Sequence, residues 1–244
     1  MAEAVRAGLA EEVLVAAETR RSPGLQVVAG AAAAAGVPVR DVARGDLDAM
    51  APEHQDVVAR VRLPRTLSEQ DLHGFHFGPD AVCVVLDGIT DPQNLGAAAR
   101  SAEAAGVDLL VTRERRAAAV TPAAVRASAG ALLHLPHARV VNLTRTLGRL
   151  ADDGFTVVGL DQDAVDSIYD RPCPDGRLAL VVGSEGEGIS RLVRESCDLL
   201  VRLPMRGHVA SLNASASLAA ALFGFVLPSR RREPSSRHRG TGIS

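Results

Sequence analysis

Aromatic side chains and lysine are what this sequence lacks most. Among 244 residues it has no tryptophan, one tyrosine and five phenylalanines, so that aromatic residues make up 2% of the chain. Lysine is absent, and arginine supplies every basic side chain other than histidine. The core must therefore be built from alanine, valine and leucine. The shortage of aromatic side chains also argues against the stacking of nucleic-acid bases as a main mode of ligand binding.

Cysteine is scarce too, and its arrangement excludes two classes of protein. Cys83, Cys173 and Cys197 are far apart, and none lies in a C-x-x-C motif. This argues against a disulfide framework or a zinc knuckle and favours a reducing cytosol. His73 and His76 form only a weak metal-binding pattern without cysteine or carboxylate ligands beside them. We therefore expect no metal.

Long apolar runs are missing as well. The longest, around residues 27–39 and 218–227, are too short to span a bilayer, and the N-terminus has no signal-peptide pattern. We expect a soluble, cytoplasmic protein without a membrane partner. The formal net charge is −2, but residues 228–244 contain five arginines and one glutamate together with proline and serine. This composition predicts a basic, disordered tail.

Hydrophobic patterning divides the rest of the chain into two parts. Residues 1–63 are predicted to form a small α/β domain, and residues 64–79, rich in turn residues, a linker. Residues 80–227 alternate strands and helices, which predicts a mainly parallel sheet covered on both faces. The predicted strands are 12–17, 37–42, 55–63, 81–86, 107–112, a short one ending at residue 140, 155–160, 178–182 and 199–203. The predicted helices are 1–9, 24–35, 92–106, 121–132, 143–151, one starting at residue 190, and 212–227.

Three polar, glycine-rich stretches follow predicted strands of the second part. They are DGITDPQNLGAAAR (87–100), GSEGEGI (183–189) and LPMRGHVASLNAS (203–215). Ligands of parallel α/β sheets collect at the carboxyl ends of the strands, where all three stretches are expected. We therefore expect them to form one site.

The second stretch superficially resembles a dinucleotide-binding loop, but its chemistry is different. Its glycines are spaced G-x-x-G-x-G and not G-x-G-x-x-G, and Glu185 and Glu187 would repel a pyrophosphate. This disfavours a nicotinamide-dependent oxidoreductase. An acidic loop suits a ligand with positive charge and no phosphate, such as a sulfonium.

The polar residues of the other two stretches each have an ordinary structural explanation. Asn94 and Arg100 lie about 120° apart around a helix, so they share a pocket only if it wraps the N-terminal end of that helix. Taken alone, this stretch favours a surface salt bridge between Arg100 and Glu103 over a functional role for Arg100. Ser211, Asn213, Ser215 and Ser217 could simply cap the last helix.

Together, the motifs D-x-x-x-D-P-x-N-x-G-A-x-x-R, G-x-E-G-x-G and P-M-x-G-x-V-x-S-L-N-x-S resemble the signature set of the SpoU/TrmH family of RNA ribose 2′-O-methyltransferases. The resemblance covers residues 81–227. Residues 3–8 and 54–58 are similar to the small RNA-binding domain of the subgroup that methylates a guanosine of 23S rRNA. The chain begins later than members of that subgroup, and we expect the first strand of the small domain to be missing.

The resemblance implies an α/β methyltransferase domain whose C-terminal part forms a trefoil knot (SPOUT-like). It also implies S-adenosylmethionine held in the knot by the backbone of Gly183, Leu203 and Leu212, and a homodimer whose two chains share each active site. RNA, as 23S rRNA, is the implied partner. The same chemistry on tRNA or on an antibiotic-resistance site of rRNA stays open, as does a catalytically silent RNA-binding protein for ribosome assembly.

The resemblance further implies catalytic roles for five side chains. The family gives the central role to the arginine matching Arg100. Because arginine stays protonated in proteins, we interpret Arg100 as a clamp on phosphate or developing oxyanion charge. Glu185, a phosphate oxygen or water would accept the proton of the 2′-hydroxyl. Asn94 and Asn213 would orient sugar and cofactor, with Ser211 as a secondary polar contact.

Binding to RNA needs cations, and two groups of arginines are candidates. The first is at the end of the small domain, and the second follows the second strand of the larger domain. That these arginines are simply solvent-exposed surface residues explains both groups equally well. Their members are Arg60, Arg62 and Arg65 in the first, and Arg113, Arg115, Arg116 and Arg126 in the second.

Overall fold

The computed structural model describes residues 2–19, 22–51, 54–209 and 211–230, and these contain two separate β-sheets. The smaller sheet has three strands in the order β2-β1-β3, with β1 parallel to β2 and antiparallel to β3. Its elements are α1 (Ala2–Arg6), β1 (Ala10–Ala16), α2 (Pro23–Ala34), β2 (Val39–Val42), α3 (Arg44–Met50) and β3 (Val57–Val61).

The prediction for this part of the chain is confirmed for two helices and three strands, and it missed α3. That helix has seven residues, and Leu47 is the residue that it buries. A helix of two turns with one buried position has no hydrophobic period that a sequence pattern could reveal.

The larger sheet has six strands, all parallel, in the order β6-β5-β4-β8-β7-β9. The predicted parallel α/β architecture is confirmed. The strands are β4 (Val82–Asp87), β5 (Leu109–Arg113), β6 (His137–Val140), β7 (Thr156–Leu160), β8 (Leu178–Gly183) and β9 (Leu199–Val201). The helices are α4 (Pro92–Ala104), α5 (Pro122–Ala127), α6 (Leu143–Asp152), α7 (Arg191–Glu195), α8 (Ala214–Ala221) and α9 (Leu227–Ser229), with 3-10 turns at Asp71–Gly74 and Ala131–Leu133 and a π-helical turn at Leu222–Val226.

Strand β4 lies inside the larger sheet and is buried on both faces. Val82, Val84 and Leu86 face one hydrophobic core, which α4 and α8 cover. Cys83 and Val85 face a second core, to which α6 contributes. Successive side chains of a strand point to opposite faces, and an uninterrupted apolar run therefore serves both layers.

The strand order reverses between β4 and β8. From β4 the chain builds outward through β5 and β6, and it then returns to the other side to add β7, β8 and β9. Asp87 at the end of β4 is in register with Gly183 at the end of β8. The first two polar stretches therefore leave the sheet side by side at its switch point, where ligands of such sheets bind.

Three predicted helices differ from the prediction in their bounds or continuity. The helix predicted over 1–9 ends at Arg6. The helix predicted over 121–132 stops at Ala127, because Ala129 and Gly130 have left-handed backbone conformations (φ 51° and 93°) and Ala131–Leu133 is a separate 3-10 turn. The helix predicted over 212–227 starts at Ala214 and changes to the π-helical turn at Leu222.

The segment 64–79, predicted as a linker, packs against the larger sheet. Leu72 is buried in the second core. The ring centroid of Phe77 lies 4.8 Å from that of Phe155, and Arg177 donates hydrogen bonds to the carbonyl oxygens of Phe77 and Gly78. The boundaries at 63, 64–79 and 227 and the C-terminal trefoil knot stay predictions.

The predicted tail falls mainly on residues 231–244, which lie outside the described residues. Of its first residues, Arg230 donates to the carbonyl oxygen of Gly176. None of the described helices is long and apolar enough to cross a membrane.

Helices α4 and α5 touch at a glycine, which generates a stability prediction. A Cβ on Gly96 would lie 2.5 Å from both the carbonyl oxygen of Ala124 and the Cβ of Ala127. We expect Gly96→Ala to lower the free energy of unfolding by about 1–3 kcal/mol, because backbone has to move. Urea unfolding measures this.

Gly148 in α6 provides the matched control, because a Cβ there would meet nothing within 4 Å. We expect Gly148→Ala to raise the free energy of unfolding by about 0.5–1 kcal/mol, since alanine is the better helix former. Equal effects of the two substitutions would contradict the close helix contact.

Candidate functional site

The three polar stretches meet through side-chain hydrogen bonds. Asn94 Nδ2 donates to Glu185 Oε1 at 2.9 Å. Asn213 Nδ2 donates to the same carboxylate oxygen at 2.5 Å and to Asn94 Oδ1 at 2.8 Å. One residue from each stretch thus contributes to what we term the amide–carboxylate cluster (Asn94, Glu185 and Asn213).

Both asparagines of the cluster are held by helix starts. Asn94 lies in the first turn of α4, where Asp91 caps the helix by accepting from Gln93 N. Asn213 is the N-cap of α8, and its Oδ1 accepts from Ser215 N and Ala216 N. Because capping uses the oxygen of Asn213, its amide nitrogen is left to face Glu185.

The glycines of the second stretch fold the loop back onto its own strand. A Cβ on Gly183 would lie 1.9 Å from the carbonyl carbon of Gly188, a distance that only glycine permits. Ser184 and Gly188 exchange backbone hydrogen bonds of 3.1 and 3.0 Å, and Gly186 and Gly188 have positive φ angles. The glycine spacing therefore builds a tight turn that presents Glu185.

Asp87 anchors this loop to the sheet. Its carboxylate is 3% exposed, and Oδ2 accepts the backbone N–H of Ser190 at 2.8 Å. Oδ1 accepts from Arg113 Nε at 3.0 Å, and Arg113 also donates to Ser190 Oγ. One buried carboxylate thus joins β4, β5 and the end of the loop that carries Glu185.

A solvent-open cavity of about 200 Å³ lies between the second and third stretches. Glycine-rich backbone forms one wall, and the other walls combine apolar and acidic side chains. The acidic ones are Asp161, Asp163, Glu185 and Glu187, and the apolar ones are Leu160, Val182, Ile189, Leu203, Met205 and Leu212. Arg194 is the cation in the lining, and its Nε lies 2.7 Å from Asp161 Oδ2. Apolar walls with excess carboxylate suit a cationic ligand and repel phosphate.

Cys197 lies close to this region but does not supply a nucleophile. Burial, followed by the charges of Asp198 and Asp161, raises the pKa of its thiol to about 12. Its Sγ donates to the carbonyl oxygen of Val193. Among the described residues, no group of three or more histidine, cysteine, aspartate or glutamate side chains is arranged to hold a metal ion.

Most of the predicted site residues come together, and one stays apart. Gly183, Glu185, Leu203, Ser211 and Leu212 line the cavity, and Asn94 and Asn213 contact Glu185. By contrast, Arg100 is exposed on α4, with no hydrogen bond or ion pair inside the described part of the chain, so the alternative salt bridge with Glu103 is not formed.

Sequence reasoning missed two parts of the site. Asp161, Gln162 and Asp163 line the cavity directly after β7. The end of a predicted buried strand was the available signal for them, because all parallel strands end at the same edge. The anchor formed by Asp87 and Arg113 had no such signal, since nothing in the sequence pairs residues on two different strands.

Comparison with known protein families accounts for nearly the whole described chain. The SpoU rRNA Methylase family matches residues 81–223, which contain the larger sheet and all three stretches. A second family, described as RNA 2′-O ribose methyltransferase substrate binding, matches residues 2–67.

Individual relatives agree with this assignment. The 23S rRNA (guanosine-2′-O-)-methyltransferase RlmB of Photobacterium profundum is 41% identical over 194 residues, which cover 78% of this chain and 79% of that protein. An uncharacterized tRNA/rRNA methyltransferase of Mycobacterium avium is 41% identical over 224 residues, covering 90% and 72%. The crystal structure of the SpoU methyltransferase AviRb from Streptomyces viridochromogenes, in complex with AdoMet, has a TM-score of 0.74 and 28% identity, covering 91% of this chain and 84% of that chain.

The parallel sheet, the acidic cavity at its switch point and the preceding substrate-binding segment define an RNA ribose 2′-O-methyltransferase. The resemblance seen in the motifs is confirmed. The chain belongs to the SpoU rRNA methylase family.

The Asp87 anchor generates a second stability prediction. We expect Asp87→Asn, which keeps the side-chain volume, to lower the free energy of unfolding by about 2–3 kcal/mol, because it removes the charge that faces Arg113 and Ser190 N. Chemical denaturation measures the change.

An exposed ion pair provides the control. Arg191 Nη1 and Glu195 Oε1 are 2.6 Å apart on the surface of α7, and Glu195→Gln should cost less than about 0.5 kcal/mol. The anchoring role of Asp87 would be refuted by a loss no larger than that of Glu195→Gln.

Proposed function

We propose that this enzyme transfers a methyl group from S-adenosylmethionine to the ribose 2′-hydroxyl of a guanosine in 23S rRNA. The observation that carries the proposal is the amide–carboxylate cluster, in which all three polar stretches converge on Glu185 beside the acidic cavity. The 41% identity to a 23S rRNA (guanosine-2′-O-)-methyltransferase supports the choice of RNA and nucleotide.

The cavity has the chemistry that S-adenosylmethionine requires. When bound, the cofactor supplies the electrophilic methyl group. The backbone at Gly183, Leu203 and Leu212 would hold it, since all three residues line the cavity. The carboxylates of Asp163 and Glu187 attract the positive charge of the cofactor's sulfonium. Because this ligand has no phosphate, the cavity does not need a set of free backbone N–H groups to bind it.

The geometry of Glu185 favours it as the acceptor of the hydroxyl proton. Glu185 Oε1 accepts hydrogen bonds from the side-chain amides of Asn94 and Asn213. Within the described chain Oε2 has no hydrogen-bond partner, so it can accept from an incoming hydroxyl. The two amides fix the plane of the carboxylate and hold Oε2 in place. A general base must lie within hydrogen-bond reach of its proton, and such fixing supplies the required geometry.

Arg100 would act on the charge of the RNA and not as a base. Its guanidinium stays protonated, and within the described chain it has no partner that would compete with an RNA phosphate. We propose that it clamps the target phosphate or the developing oxyanion, with Ser211 as a secondary polar contact.

We further propose that the enzyme is a cytoplasmic homodimer. Arg100 lies outside the cluster of its own chain, which supports a site completed by a second copy. Phe223, on the π-helical turn after α8, is 50% exposed and offers an apolar contact. Cytoplasmic location follows from the proposed ribosomal RNA substrate.

Transfer of labelled methyl groups tests the function. We expect the full chain with S-adenosylmethionine to label a 23S rRNA transcript, and nucleotide mapping to locate the label on the 2′-oxygen of one guanosine. If tRNA were labelled and 23S rRNA were not, the substrate would be tRNA and not 23S rRNA. The Mycobacterium avium relative is described as a tRNA/rRNA methyltransferase, a name that includes both RNAs. RNA binding without any transfer would favour the silent ribosome-assembly protein.

The cluster itself generates a prediction on turnover. Serine caps helices as well as asparagine does but has no amide donor. We therefore expect Asn213→Ser to keep α8 and to lower the free energy of unfolding by only about 1 kcal/mol, through the lost hydrogen bonds to Glu185 and Asn94. We expect it to lower kcat by about 10–100-fold, because Glu185 loses a positioning partner. Single-turnover methyl transfer measures the effect.

Asn142, the N-cap of α6, provides the control because its Oδ1 accepts from Arg145 N far along the chain from the cluster. Asn142→Ser should leave kcat unchanged. If the two variants turn over at the same rate, Asn213 serves only as a cap.

A further inference from the structure

The candidate RNA-binding arginines, all of them among the described residues, divide into two classes that the sequence does not distinguish. Most described arginines in and beside the smaller sheet are ion-paired with carboxylates of the same chain. We term three of them the paired set: Arg60 with Glu12 (3.5 Å), Arg62 with Glu11 (2.9 Å) and Arg65 with Asp71 (2.7 Å). Glu11 and Asp71 each compensate the charge of one arginine, whereas Glu12 is shared between Arg60 and Arg40, which lies 3.2 Å away.

The arginines that follow β5 differ from this set. Arg115, Arg116 and Arg126 are exposed, and in the described part of the chain none has an ion pair or a side-chain hydrogen bond. We term these three the outer arginine patch. Arg113 is not part of it, because the anchor with Asp87 occupies its guanidinium.

The patch lies next to the first polar stretch. The backbone N–H of Ala118 donates to the carbonyl oxygen of Ile89 at 2.8 Å, which ties the loop containing Arg115 and Arg116 to the segment between β4 and α4. Arg126 lies on α5, which packs closely on α4 at Gly96. The uncompensated charge thus borders the helix that carries Asn94 and Arg100.

We propose that the outer arginine patch binds the phosphate backbone of the RNA beside the target nucleotide, and that the paired arginines of the small domain contribute little to phosphate binding. This inference rests on the proposed function, because it takes RNA as the substrate. It departs from what the description of residues 2–67 as a substrate-binding family would suggest.

The two sets of arginines differ in how far their charge is compensated. A free arginine that meets a phosphate neutralises it and releases a condensed counterion. A paired arginine must first leave its carboxylate, which then faces the RNA and repels it. Phosphate contacts orient a nucleic acid without reading its sequence. The patch would therefore set the path of the strand across the site, and the small domain would act through other contacts.

Two matched triple variants test the proposal, and each removes three positive charges. The patch variant is Arg115→Gln, Arg116→Gln, Arg126→Gln, and the control variant is Arg60→Gln, Arg62→Gln, Arg65→Gln. Fluorescence anisotropy of a labelled 23S rRNA fragment that contains the target gives Kd between about 50 and 200 mM salt, the range over which phosphate contacts change affinity most visibly. Urea unfolding checks that both variants remain folded.

We expect the patch variant to raise Kd at least about tenfold. The slope of log K against log salt should become shallower by about 2, because each of the three lost phosphate contacts contributes about 0.7–0.9. The control variant should change Kd by less than about threefold. At saturating RNA the patch variant should keep kcat while KM rises, because these arginines position the strand and do not touch the reacting atoms.

The outcomes separate this inference from the proposed function. Equal losses in the two variants, or a larger loss in the control variant, overturn the inference even if wild-type enzyme methylates 23S rRNA. A wild-type chain that binds the RNA through the patch but transfers no methyl group leaves the inference standing and removes the proposed function. A wild-type chain that does not bind RNA removes both.

Discussion

The buried carboxylate of Asp87 is the constraint on which the geometry of the site depends. It ends β4, holds Arg113 at the end of β5 and accepts the N–H of Ser190, where the acidic loop returns to the sheet. Charge-assisted hydrogen bonds to a buried acceptor are strong and costly to break. Glu185 is exposed but lies on a loop held at both ends, at Gly183 and at Ser190.

Close packing at two glycines completes this arrangement. Gly183 lets the loop lie directly on its own strand, and Gly96 lets α5 lie directly on α4. The first contact presents Glu185 to both asparagines, and the second brings the loop and helix after β5 beside the start of α4. A few van der Waals contacts thus connect the reacting centre with the surface proposed to hold the RNA strand. An added methyl group at either glycine would separate elements that the site needs together.

Sequence patterns predicted the elements with long hydrophobic periods and failed where the period is short or interrupted. The buried strands such as β4 and β8 and the capped helix α4 were found, because apolar runs and the Asp91-Pro92 start have strong local signals. The helix α3 and the end of α5 were not, since one depends on a single buried leucine and the other on a left-handed turn at Ala129. For the site, motif order located Asn94, Glu185 and Asn213. The cavity residues Asp161 and Asp163 and the anchor at Asp87 depend on neighbouring strands and were missed.

By itself, the sequence determined the parallel α/β class, the acidic character of the glycine-rich loop and the three stretches that identify the family. These follow from local chemistry: residue type, periodicity and spacing. Only the tertiary structure decided which polar groups meet and which charges stay free. It joined the two asparagines to one oxygen of Glu185, left Arg100 outside that cluster, and divided seven candidate arginines into paired and unpaired sets. The reason is physical: whether a charge is compensated depends on what lies within a few ångströms of it, and the fold brings together residues that the chain keeps far apart.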